Sequence, residues 1–248
     1  MNTLPELQRQ LDDARAELQE FTYTVSHDLR APLRHITGYA QILAEDWPDM
    51  PAEAASHLGV ITQSAQVLAS QLEGLTQLSR LGLQPLNLQA VDVAALAQDA
   101  AQEVAARYPQ QVVQWQLAAD VPLVLADSAL LRQVLVQVLD NAVKFSRGCD
   151  PVVVELSWQQ AAPQHCQLSI CDHGVGFAPE QAKALFKVFG KLHPAREFAG
   201  LGLGLVTCRK IMQRLGGTVA IEGVPANGCS VTLVLPWAAA ALPQTCCA

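Results

Sequence analysis

The sequence of 248 residues contains no long apolar run. Its best candidates, "VPLVLA" and "VTLVLPWAAAAL", are short or interrupted by proline, so no segment is expected to span a membrane. The N-terminus, "MNTLPELQRQ", has no basic start followed by an apolar stretch, which leaves a secretory signal unsupported and the cytoplasm as the expected location. Positive charge is scarce as well. Sixteen Lys and Arg face 23 Asp and Glu, for a net charge of −7, and no basic cluster stands out. Such a field repels phosphate backbones, so nucleic acid is not an expected partner. Seven cysteines, an odd number without any CxxC pair, exclude a disulfide framework and a zinc ribbon. "HCQLSICDH" (165 to 173) does bring His and Cys together, but strand alternation would split them between two faces. In the terminal "CCA" no cysteine stands fourth from the end, as prenylation requires, and residues 238–248 read as a disordered tail.

What the chain does have is helical periodicity at one end. Leu4, Leu7, Leu11, Ala14, Leu18, Phe21 and Val25 recur at alternating spacings of three and four, the seam of a helix that associates with another helix. The stripe continues through Leu29, Leu33, Ile36, Ala40 and Leu43 after a phase slip next to "VSHDLRAPL". At about 100° per residue, His27 falls opposite the midpoint of Val25 and Leu29 and faces solvent. Pro32 in that helix removes a hydrogen bond at a cost of about 3 kcal/mol, which asks for an offsetting use. "DWPDMP" breaks the helix, and Ala54, Leu58, Ile61, Ala65, Leu68, Leu72 and Leu75 form a second stripe. Two such helices make an antiparallel hairpin whose remaining seam is best buried by a second copy, as a dimeric four-helix bundle.

"GLQPLNLQ" (82 to 89) then punctuates the chain. Beyond it the pattern predicts a helix near 92–107 with Asp92 as N-cap, strands at "VVQWQL" and "PLVLA", and a helix near 128–146 capped by Asp127. Strands at "VVVELSW" and "QLSICD" follow, then a glycine-rich segment, a helix near 203–215, and strands at "TVAIEG" and "SVTLVLP". This is an α+β sandwich with helices on one face. The domains expected are 1–85, the helical hairpin, and 90–237, the α+β sandwich.

"SHDLRAPL" resembles the phosphoacceptor box of two-component sensor histidine kinases, and "LLRQVLVQVLDNAVKFS" resembles their asparagine box. "DHGVG" and "GLGLGL" are similar to the two glycine boxes of the GHKL ATPase fold, with "LFKVF" like the phenylalanine box between them. The likeness covers roughly 15–236 and is greatest to the kinase modules of phytochrome-like sensors. It implies that His27 accepts the γ-phosphoryl of ATP, with Asp28 taking the hydrogen bond of its Nδ1 proton or acting as general base. It implies that Asn141 and Gln137 meet a Mg2+ ion, that Lys144 reaches the phosphates, and that Asp172 reads adenine N6. Gly174 and Gly176 would let backbone approach base and sugar, while Gly200, Gly202 and Gly204 open a helix onto the phosphates. Residues 177–199 look like a lid, with Phe186 and Phe189 pinning it and Lys191, His193 or Arg196 at the γ-phosphate. Pro32 would let the hairpin bend beside the acceptor.

Three positions depart from the family pattern. Gln137 stands where many members have Asn or an acid, Leu201 where the second glycine box often has Thr, and Ala31 where members with strong phosphatase activity carry Thr or Asn. The expected activity is ATP-dependent autophosphorylation followed by transfer to an aspartate of a response regulator receiver domain. The expected assembly is a homodimer signalled to by a sensor domain or a protein in trans. The alternatives are a pseudokinase scaffold that binds nucleotide without chemistry, favoured by Gln137 and Leu201, and an ATPase coupled to mechanical work, which leaves the His27 box without a reason.

Overall fold

A computed structural model of the chain describes residues 4–82, 84–192, 197–198 and 200–238, which divide into a unit up to Gln84 and a unit from Pro85 onward. The first unit is a helical hairpin. Helix α1 runs Leu4–Asp46 and helix α2 runs Ala52–Arg80, with Trp47–Pro51 between them. Pro32 lies inside α1, which stays helical through it.

Only part of each apolar stripe is used within the hairpin. Leu33 and Ala40 on α1 and Ala65 and Leu72 on α2 are buried, and Leu33, Ala65 and Leu72 form one small core. Leu7, Leu18, Phe21, Val25, Leu29, Ile36 and Leu43 remain exposed, as do Ile61 and Leu68; the side chains of Leu4 and Leu11 lie outside the described residues. On α2 the division follows the heptad. Ala65 and Leu72, seven apart, face α1, while Ile61 and Leu68, also seven apart, face away.

The second unit is a sandwich of one mixed sheet and a helical layer. Its strands are β1 Gln89–Val91, β2 Val113–Leu117, β3 Val124–Ala126, β4 Val152–Ala162, β5 His165–Asp172, β6 Thr218–Gly223 and β7 Cys229–Pro236. Five of them form a sheet in the order β2-β4-β5-β7-β6, parallel between β2 and β4 and antiparallel elsewhere, while β1 pairs with β3 alone. The helices are α3 Val93–Arg107, α4 Ser128–Phe145, the single turn α5 Ala182–Leu185, and α6 Gly204–Arg214. Asp92 caps α3 by accepting from the Ala95 amide, and Asp127 caps α4 by accepting from Ala129 and Leu130.

Alternation decides which sheet face is covered. Val152, Val154 and Leu156 on β4, Cys166, Leu168 and Ile170 on β5, and Val231, Leu233 and Leu235 on β7 are all buried. Against them lie Leu131, Val134, Leu135, Val138 and Leu139 of α4 and Ile211 and Met212 of α6, also buried. β5 keeps this parity to its last residue, which is Asp172. A carboxylate therefore ends up on the apolar face of the sheet, 6% exposed.

Candidate functional site

In the hairpin, Ser26 is buried and its neighbour His27 projects outward with 64% of its side chain exposed. His27 Nδ1 lies 3.2 Å from Asp28 Oδ1. An ionised carboxylate only accepts hydrogen bonds, so a neutral imidazole in this contact carries its proton on Nδ1 and its lone pair on Nε2. Pro32, four residues beyond Asp28, lacks the amide that would bond the Asp28 carbonyl, and so opens the helical ladder directly behind the pair.

In the sandwich, Asp172 is held from two sides. Its Oδ1 accepts from the amides of Gly174 at 2.9 Å and Cys229 at 3.3 Å, and its Oδ2 accepts from the Cys229 thiol at 3.0 Å. Burial pushes the Asp172 carboxyl above the usual carboxylate range, and the bonds from Cys229 and Gly174 oppose that rise. Burial and the adjacent carboxylate push the Cys229 thiol up. With Oδ1 already bonded by two amides, the free acceptor capacity of Asp172 is on Oδ2, suited to one further donor. Cys229 carried no signal of this role in the sequence, because it is 57 residues from Asp172 and only the β5–β7 register joins them.

Asn141 and Lys144 lie one turn apart near the end of α4, and Lys144 Nζ donates to Asn141 Oδ1 at 3.0 Å. Gln137, one turn earlier, points its Nε2 at the same oxygen from 3.5 Å. Burial lowers the proton affinity of Lys144, whose ammonium also stands 4.4 Å from the centre of the Phe145 ring. Phe145 in turn contacts Phe198, with ring centroids 4.9 Å apart.

The glycines meet these groups by backbone. A Cβ on Gly204, the first residue of α6, would come within 2.5 Å of the Gln137 side chain, and one on Gly200 would stand 3.6 Å from Lys144 Nζ. Thus α4 and the start of α6 converge, and Gln137, Lys144, Gly200 and Gly204 are brought together. Among the described residues no side chain caps α6. Gly202 adopts φ 73°, and a Cβ there would strike the Phe189 backbone. Gly174 and Gly176 lie beyond Asp172; the first amide bonds its carboxylate, and a Cβ on the second would meet the Val224 carbonyl at 1.9 Å.

Across 177–192 the chain forms only a 3₁₀ turn, Pro179–Gln181, and α5. Phe186 is held by α6, where Arg209 donates to its carbonyl at 2.9 Å and stacks its guanidinium on the ring at 5.4 Å. Phe189 is exposed at φ 61°, so the anchoring of this segment rests on Phe186 with Arg209. Lys191 is exposed, and His193 and Arg196 lie outside the described residues.

The chain thus carries an exposed histidine on its helical hairpin and, in the sandwich, a buried carboxylate, a basic α4 terminus and the glycine-lined start of α6. Residues 17–84 match the His Kinase A (phospho-acceptor) domain, and residues 126–239 match the histidine kinase-, DNA gyrase B-, and HSP90-like ATPase. The chain belongs to the two-component histidine kinases, as their catalytic core.

Among its relatives, the phytochrome-like protein Cph1 of Synechocystis is 24% identical over 94% of this chain and 31% of its own length. The sensor protein GacS of Pseudomonas syringae is 30% identical over 92% of this chain and 27% of its own. The methanogenesis regulatory histidine kinase FilI of Methanothrix harundinacea is 28% identical over 93% and 26%. The chain thus spans under a third of the curated relatives it matches. Full-length ShkA, solved with AMPPNP, aligns with a TM-score of 0.62 and 28% identity over 88% of this chain and 46% of that one. The Acinetobacter baumannii histidine kinase AdeS, at 22% identity and a TM-score of 0.56 over 85% of this chain and 98% of that one, shares the fold.

Proposed function

We propose that the protein is an ATP-dependent protein-histidine kinase that phosphorylates His27 and passes the phosphoryl group to an aspartate of a response regulator receiver domain. The observation that carries this reading is the outward His27 imidazole with Asp28 at its Nδ1. The Nε2 lone pair forms the N–P bond as the bond from the γ-phosphorus to the β–γ bridging oxygen breaks, and that electron pair leaves with ADP. Positive charge develops on the ring, and Asp28 balances it. Such chemistry is mostly positioning and charge stabilisation, which suits a site built of backbone amides and few side chains.

ATP is the proposed donor, and the ShkA structure with AMPPNP supports that ligand class for this fold. Asp172 Oδ2 would accept from adenine N6, a donor that guanine lacks, and Lys144 with the α6 amides would face the phosphates. The amide oxygens of Asn141 and Gln137 are hard neutral donors of the kind Mg2+ takes, but Asn141 Oδ1 accepts from Lys144 and Gln137 points its Nε2 at the same atom, so the ion would have to displace those contacts and is expected to arrive with the nucleotide. Bound there, it neutralises charge on the phosphates.

The active form is proposed to be a homodimer. Ile61 and Leu68, with Leu18, Phe21, Val25, Leu29 and Ile36, leave an apolar stripe that a second copy of the hairpin would cover. Among the described residues no helix is long and apolar enough to cross a membrane, and a cytoplasmic setting is proposed because ATP is the substrate.

Incubation with labelled ATP and magnesium tests this directly. An acid-labile, alkali-stable phosphate should appear on the wild-type chain and vanish in His27→Gln, with AMPPNP affinity unchanged. Label that persists on another residue overturns the assignment.

A further inference from the structure

The His27 imidazole has a further neighbour, Tyr23, which in turn meets Arg80, and both lie outside every motif named above. Tyr23, one helical turn before it on α1, stacks against it with ring centroids 6.4 Å apart and planes inclined by 28°. Arg80, the last residue of α2, holds its guanidinium carbon 5.3 Å from the centre of the Tyr23 ring. A column of Arg80, Tyr23 and His27 therefore joins the two helices at the acceptor. A second tie lies beside it, from Arg30 Nη2 to Thr76 Oγ1 at 3.3 Å.

The column answers a mechanical problem. Asp28 is adjacent to His27 in sequence, and neighbouring residues on a helix do not face one another. Their contact of 3.2 Å is exposed on both sides, at 64% and 73%, and water and salt weaken such a bond. Asp28 fixes one edge atom of the ring and leaves its plane free to turn. Tyr23 restrains the plane. Because an aromatic side chain on a helix has few rotamers of its own, and Arg80 lies over its ring, the restraint does not depend on His27 in return.

We propose that Tyr23 is a positioning residue for the phosphoacceptor, and that Arg80 holds Tyr23 in place, so that Nε2 is presented in one orientation. The proposal rests on the reading of His27 as acceptor. Tyr23 is 41% exposed, so its removal takes little from the hairpin core. An aromatic pair of this kind is worth roughly two- to tenfold in an equilibrium, and the loss should fall on the rate of transfer rather than on nucleotide affinity.

The test uses the full chain and four variants. In the wild type, NMR of the His27 ring protons should show a ring-current displacement that survives in Tyr23→Phe, shrinks in Arg80→Gln and disappears in Tyr23→Ala. Autophosphorylation kcat should fall roughly two- to tenfold in Tyr23→Ala with the KM for ATP unmoved, fall less in Arg80→Gln, and recover most of its value in Tyr23→Phe. His27→Gln identifies the labelled residue. A Tyr23→Ala chain with wild-type kcat and wild-type ring shifts overturns the proposal, and so does an equal loss in Tyr23→Phe, since the hydroxyl would then act instead of the stack. A wild-type chain that takes no label on His27 overturns the acceptor reading instead, and the ring shifts still report whether the column exists.

Discussion

The hairpin and the sandwich hold their chemical groups in opposite ways. His27 stands on an exposed helix surface, while Asp172 is 6% exposed and bonded by two amides and a thiol. The hairpin core comprises a few residues around Leu33, Ala65 and Leu72, whereas the sandwich closes a continuous layer between its sheet and α3, α4 and α6. The difference follows from what each group must meet. In the proposed reaction an acceptor serves two partners in turn, first a nucleotide and then a receiver, so it needs exposure. A nucleotide site meets one ligand, and it gains from exclusion of water and from fixed donors.

The glycines give this contrast its strongest test. Gly176 has φ 57°, and a Cβ there would lie 1.9 Å from the Val224 carbonyl oxygen. Gly176→Ala should cost the sandwich roughly 3 kcal/mol or more, because backbone must shift on both sides. Calorimetry of the full chain should show the sandwich transition falling while the hairpin transition stays. Loss of both together would mean that the units unfold as one.

Asp172→Asn gives a smaller and two-signed effect. The folded-state pKa of Asp172 is raised, so its contribution to stability is present below the unfolded value near 3.9 and is lost as pH rises through the folded value. At neutral pH the buried charge is therefore a net cost, which an amide of the same shape removes. The variant should melt higher than wild type at pH 7, with the difference closing toward acid. Its ATP affinity should drop by about 1 to 3 kcal/mol, or roughly 5- to 150-fold. Titration calorimetry beside thermal melts at several pH values checks both halves, and an unchanged affinity would place the base elsewhere.

The smallest effect is expected in the hairpin. A Cβ on Gly59 of α2 would meet nothing within 4 Å in the single chain. Gly59→Ala should stabilise α2 by about 0.5 to 1 kcal/mol, seen as a small rise in the hairpin transition. A fall instead would show that the backbone of a second copy approaches α2 at this point.

Elements announced by local chemistry were legible in the sequence. Asp92 and Asp127 each precede an apolar periodic run, and each caps the helix that follows. The apolar parity of β5 carried through to Asp172, and the spacing of Asn141 and Lys144 put them on one turn of α4. Contacts made by long-range pairing were not legible. β1 has three residues and no alternation to announce it, and its partner β3 is over 30 residues away. The parallel pairing of β2 with β4 depends on the course of α4 between them. Cys229 meets Asp172, Phe198 meets Phe145, and Arg80 meets Tyr23 only because distant segments dock, and no local pattern encodes that. The heptads of the hairpin fell between these cases. Their period was plain, but which half of each stripe the chain would bury itself followed from the docking of α1 on α2.

In the proposed dimer, that division of the stripe ties the hairpin to mass action. A hairpin that leaves Ile61, Leu68 and most of the α1 stripe uncovered would complete its core with a second copy, so its stability would be set partly by concentration. Among the described residues the core of the sandwich is closed within one chain, so no such dependence is expected of it. On dilution the acceptor half should loosen first while the nucleotide half stays folded, and phosphoryl transfer should then fall faster than the amount of protein does. A cell could set a threshold for the signal by abundance alone.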